Sequence, residues 1–130
     1  MTTSFSTSLR TARANAIVTA AGTNATMTFY NGTKPASLGA VTTQTAQAVL
    51  TFAGALGTVS NGVLTFNTVT QNNATFVSGS PTWVRIATSG GVAVVDMDVG
   101  SGNQSLQFTG TIANGVNVTL NSSTYTEGNS

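Results

Sequence analysis

Few side chains in these 130 residues can do acid–base, nucleophilic or metal chemistry. The acids are Asp96, Asp98 and Glu127, the bases are Arg10, Arg13, Lys34 and Arg85, and the chain has neither His nor Cys. Asp96 and Asp98 are two apart, so on a strand both carboxylates share one face. A carboxylate pair can hold calcium or divide acid and base work. Here no third acid lies nearby, and a glycosidase needs its two carboxylates across a cleft, not side by side on one strand. The pair is therefore read as structural, with solvated charges of which one is paired to Arg85. Without His and Cys the chain also lacks the means for His- or Cys-based catalysis, structural zinc, haem ligation and disulfides. No catalytic residue, metal site or cofactor is expected, and the protein is not expected to be an enzyme.

Recognition chemistry is a little richer. Trp83 with Tyr30 and Tyr125 could form a platform for stacking sugars, although a sheet-packing role is the simpler reading. The loop Asn31-Gly32-Thr33-Lys34-Pro35 could bind a partner, but such residues also make ordinary turns. Gly100-Ser101-Gly102-Asn103 lacks the strand–loop–helix setting of a phosphate cradle. Asn-x-Ser/Thr triplets start at Asn24, Asn31, Asn73, Asn103, Asn117 and Asn121. Such triplets arise readily in a chain so rich in Asn, Ser and Thr. A net charge of +1 from dispersed basic residues argues against nucleic acid as a ligand. The apolar run near Ala14–Ala21 is short and broken by Asn15 and Thr19, unlike a signal peptide, and no stretch reaches the length of a membrane span. No membrane partner is expected.

These side chains must be positioned by a small set of elements. The length suits one domain, and a chain of this size can bury a core without metal or disulfide help. Leu9, Ala12, Ala16, Ile17 and Ala20 recur at steps of three and four, which predicts one short helix. Ser6 or Thr7 can cap its start and Gly22 its end. Residues 1–22 thus read as a helical segment that packs on its own β-domain or on a neighbouring subunit. Arg10 and Arg13, three apart, share one side of it. From residue 23 to 130 the pattern is β-rich. Runs at 25–30, 47–52, 63–69, 83–88, 92–99, 106–111 and 116–120 are separated by Asn31-Gly32, Asn61-Gly62, Gly90-Gly91, Gly100–Asn103 and Asn114-Gly115. About seven or eight strands at this spacing predict a mainly β fold, an antiparallel sandwich or barrel.

One hairpin can be registered directly. A two-residue turn at Gly90-Gly91 opposes Ile86 to Val95 and Val84 to Met97 on an apolar face. On the other face it sets Arg85 against Asp96 and Trp83 against Asp98. A three-residue turn would oppose Arg85 to Val95 and scramble both faces. Arg85–Asp96 is therefore an expected cross-strand ion pair, contributing under about 1 kcal/mol if exposed and serving mainly to set register. Gly57-Thr-Val-Ser-Asn-Gly-Val63 and Gly110-Thr-Ile-Ala-Asn-Gly-Val116 also match in residue type, each reading as strand, Asn-Gly turn, strand. Two copies are too few for a repeat architecture, and independent use of one good turn explains them.

Charged residues make up 5% of the chain against about 25% in ordinary domains, so Thr, Ser, Asn, Gln and Gly must supply the polar surface. Such a surface suits broad protein contacts and offers little defence against association. The segment Ser4-Phe5 through Ile17, the run Phe29-Tyr-Asn-Gly-Thr-Lys-Pro35-Ala and the hairpin Trp83-Val-Arg-Ile-Ala to Val95-Asp-Met-Asp-Val99 resemble small structural proteins of tailed phages and prophages. In size and pattern the chain is similar to capsid cement (decoration) proteins with a jelly-roll-like β-sandwich. The resemblance implies a virion protein on the capsid exterior, made in the bacterial cytoplasm, that clamps the major capsid protein lattice and self-associates as a dimer or trimer. Capsid contacts are then expected at Arg10 and Arg13 and at Tyr30, Lys34 and Pro35. A phage tail, fibre or connector subunit and a carbohydrate-binding module are the alternative expectations.

Overall fold

A computed structural model describes residues 4–67, 69–71, 80–100, 106–107, 118–120 and 124–126. Helix α1 (Thr7–Ala21) begins at Ser6, whose hydroxyl accepts from the Leu9 N–H at 3.1 Å. It ends at Gly22, where φ is 70° and the N–H donates to the Val18 carbonyl at 3.1 Å. Both caps are those expected from the sequence, but the buried face is not. Ala14 and Ala21 are buried and Ile17 and Val18 pack on the core, while Leu9, Ala12, Ala16 and Ala20 face solvent. The helix turns inward the side that combines two β-branched residues with small alanines, which lets it lie close to the sheet. That side also carries Thr11, whose hydroxyl accepts from the Gly62 N–H at 2.9 Å.

The strands are β1 (Thr26–Tyr30), β2 (Ala46–Thr51), β3 (Gly57–Ser60), β4 (Val63–Phe66), β5 (Val69–Gln71), β6 (Trp83–Ala87), β7 (Ala93–Gly100), β8 (Leu106–Gln107), β9 (Val118–Leu120) and β10 (Thr124–Thr126). Eight form a ladder in the order β2-β1-β6-β7-β8-β10-β4-β3, and β5 pairs with β9 separately. All pairings are antiparallel except β7 with β8. The two halves of the ladder share one core. Met27, Phe29, Leu50, Val84, Ile86 and Met97 come from one half, and Leu64 and Phe66 from the other. Ala21 of α1 joins the same cluster, and Ile17 and Val18 pack against it. The fold is thus mainly β and sandwich-like, with one helix packed on its own domain. The expected run 63–69 is split into β4 and β5, and β10 is an additional strand. The turns at 101–103 and 114–115, the second Gly-Thr-Ile-Ala-Asn-Gly-Val copy and the triplets at Asn73, Asn103, Asn117 and Asn121 lie outside the described residues.

Two hairpins set the registers. Asn61 and Gly62 join β3 to β4 with φ of 52° and 79°, the positive pair that a tight two-residue turn requires, and Ser60 opposes Val63. The β6–β7 hairpin has the expected partners, Trp83–Asp98, Val84–Met97, Arg85–Asp96 and Ile86–Val95. Its turn differs from expectation. The Gly91 N–H donates to the Thr88 carbonyl, the Thr88 N–H to the Val92 carbonyl, and Gly91 has φ 88°. The loop therefore holds three residues, Ser89 to Gly91. A bulge between Ala93 and Val95 then shifts the ladder by one and restores the register that a two-residue turn would have given.

Candidate functional site

Tyr30, Arg85, Asp96 and Asp98 alternate with core residues along β1, β6 and β7, so they emerge on the outer face of the sheet together with Trp83. The β1–β2 connection, residues 31–45, lies over this face as a strap. Asn31 anchors one end through backbone and side-chain bonds to Thr45, at 3.1 and 2.9 Å. The Trp83 indole N–H donates to the Asn31 carbonyl at 3.1 Å, and the Thr82 hydroxyl to the Gly32 carbonyl at 2.7 Å. The Gln44 amide donates to the Thr33 carbonyl and its Oε1 accepts from the Thr42 N–H. These bonds satisfy backbone groups that a long loop would otherwise leave to water.

Beneath the strap lies the ion pair. Arg85 Nε donates to Asp96 Oδ1 at 2.7 Å and Nη2 to Oδ2 at 2.8 Å, the bidentate fork, and Nη2 also donates to the Gly39 carbonyl at 2.7 Å. The side chains are 15% and 4% exposed, so the pair is largely buried and not the solvated one expected. The strap covers it, and no pattern within β6 or β7 announces that cover. The hydrogen bond to Asp96 holds the guanidinium above its ordinary value, against the pull of burial. The Arg85 guanidinium carbon sits 5.6 Å from the Trp83 ring centre. Each Asp96 oxygen accepts one hydrogen bond from Arg85. Asp98 is exposed and opposes Trp83.

Tyr30 and Trp83 do come together, stacked with ring centres 4.4 Å apart and planes 14° apart. Trp83 is only 1% exposed and its N–H is taken, so it offers no free face to a sugar. Tyr125 sits in β10 and packs on the core from the other half of the ladder. Lys34 is exposed and Pro35 half-buried, and both line a groove of about 240 Å³ with Leu38, Val94, Val95 and Asp96. Leu38 was not anticipated. Ser37 and Leu38 have φ of 53° and 58°, a region that side-chain-bearing residues seldom occupy. Nothing local in Ala36-Ser37-Leu38-Gly39 signals that conformation.

Arg10 and Arg13 belong to a different part of the molecule. Arg10 Nη2 donates to the Thr7 hydroxyl at 3.1 Å, and its Cβ lies against Gly62 in the β3–β4 turn. Its Nε is buried without a hydrogen-bond partner, so Arg10 is partly a packing residue. Arg13 is exposed and stacks over the Phe5 ring at 4.7 Å. Among the described residues there is no cluster of three or more metal-ligating side chains and no helix long and apolar enough to cross a membrane. Set against family models, curated proteins and solved structures, the chain matches none.

Proposed function

We propose that this chain is a structural subunit of a tailed-phage virion, a capsid cement protein with a jelly-roll-like sandwich that binds the outer face of the major capsid lattice. It is not an enzyme on this reading, and it works as a dimer or trimer. The observation that carries the reading is the outward side of α1. Leu9, 45% exposed, continues through Ala12, Ala16 and Ala20 as an apolar stripe turned away from the domain. Nothing in the domain covers this stripe among the described residues, and a subunit that lives assembled would bury it against its neighbour. Arg13 borders it, and Lys34 and Pro35 supply a second uncovered region.

A subunit that binds the assembled shell, and not its dissociated parts, stabilises the shell by mass action. The gain is about 2.7 kcal/mol per site at a hundredfold excess over the dissociation constant, repeated across the lattice. Purified protein added to shells stripped of it is expected to saturate at a fixed ratio to the major capsid protein and to raise the temperature of shell disruption. Arg13→Ala combined with Leu9→Asp is expected to abolish both effects. Unchanged occupancy by that variant counts against α1 as the contact surface. The buried Trp83 disfavours the carbohydrate-binding alternative, since a sugar would have to displace Tyr30 to reach it.

A further inference from the structure

The geometry points to the groove beside Leu38 as a docking site for an extended acidic-aliphatic segment of a partner protein, one aliphatic side chain followed directly by a carboxylate. Ser37 and Leu38 occupy left-handed backbone that neither residue type favours, and surrounding bonds hold them there. The Gly39 N–H donates to the Ala36 carbonyl at 2.9 Å, and the Gly39 carbonyl accepts from Arg85 at 2.7 Å. The buried Arg85–Asp96 fork thus clamps the turn from below. The outcome is a leucine held outward, 41% exposed, at the edge of a groove whose apolar Pro35, Leu38, Val94 and Val95 stand beside the polar Lys34, Ser37 and Asp96. Strain kept in this way displays an apolar side chain rather than burying it, as contact sites do.

Size and charge name the occupant. At about 240 Å³ the groove falls below the range of about 300–1,000 Å³ usual for small-molecule sites, but admits a protein side chain. Pro35, Leu38, Val94 and Val95 give it apolar walls. Of its two charged lining residues, Asp96 is 4% exposed and neutralised by Arg85, whereas Lys34 is exposed. The charge left for a ligand is therefore positive. An aliphatic residue in the groove with a neighbouring carboxylate at Lys34 satisfies both. This deepens the capsid reading, on which the choice of a shell protein as partner rests.

The test uses the full ¹⁵N-labelled chain and the peptide acetyl-Gly-Leu-Asp-Gly-amide. Saturable amide shifts are expected at Ser37 to Gly39 and Val94 to Asp96. Replacing the peptide leucine with serine, or Leu38→Asp in the protein, should remove them. The peptide with asparagine in place of aspartate, or Lys34→Glu, should weaken binding by about threefold, as an exposed ion pair does. Leu38 is exposed, so the fold should survive its substitution, and Leu38→Ser provides a second uncharged check. Absent shifts, or shifts indifferent to both Leu38 variants, overturn the groove proposal. Shell binding separates the two readings. Peptide shifts in a protein that fails to bind shells would remove the shell and keep the groove, and shell binding without peptide shifts would do the reverse.

Discussion

Arg85→Met should cost about 3 kcal/mol of stability, far more than the exposed pair expected from the sequence would. It removes two bonds to Asp96 and one to the Gly39 carbonyl. It also leaves the Asp96 carboxylate, 4% exposed, without its counter-ion. Breaking one side of a buried pair typically costs about 3–5 kcal/mol, and the 15% exposure of Arg85 places this case at the lower end. For a domain of this size the loss corresponds to roughly 10 °C in melting temperature, or about 2 M in the urea midpoint. The assay is a double-mutant cycle by urea denaturation of the native chain, Arg85→Met, Asp96→Leu and the double variant. The double variant buries no unpaired charge, so it should recover most of the loss, with a coupling energy of about 2 kcal/mol or more. Raising salt to 1 M should change the coupling little, because a buried pair is poorly screened. A coupling energy below about 0.5 kcal/mol, or a single-variant cost below about 1 kcal/mol, would refute the reasoning and return the pair to solvent.

Three further substitutions probe the packing. A Cβ at Gly57 would lie 2.2 Å from the Thr65 carbonyl oxygen and 2.9 Å from Phe66 Cα, so Gly57→Ala should cost about 3 kcal/mol in chemical denaturation. Thr11→Val removes the acceptor for the buried Gly62 N–H, and should cost about 1–2 kcal/mol and expose α1 to faster hydrogen exchange. Ser37→Gly relieves the backbone at φ 53° and should raise the urea midpoint by the equivalent of about 0.5 kcal/mol. A loss in that variant would show that the turn is not strained.

What was legible in the sequence was whatever depends on alternation and local turn chemistry. The caps at Ser6 and Gly22, the Asn61-Gly62 turn and the four β6–β7 pairings are of this kind, each set by neighbours along the chain or by a period-two pattern. The length of the β6–β7 turn was not legible. A three-residue turn and a one-residue bulge cancel, so the correct pairing is compatible with either turn. The inward face of α1 was equally hidden, because two apolar stripes coexist on the helix and the choice is made by the sheet it meets. Burial of the Arg85–Asp96 pair depends on the strap, which is tied down by bonds such as Trp83 to Asn31, 52 positions apart in sequence. Leu38 was missed for the same reason, since the turn that holds it is bonded, at the Gly39 carbonyl, to Arg85 of another strand.

The most direct test of the proposed role is quantitative mass spectrometry of purified virions of the phage that the proposal assigns as the source. A cement subunit should be present in hundreds of copies, in fixed ratio to the major capsid protein and on intact heads separated from tails. A handful of copies, or copies that travel with tails, would contradict the cement reading and assign the chain to a tail, fibre or connector. Absence from the particle would contradict a virion role altogether.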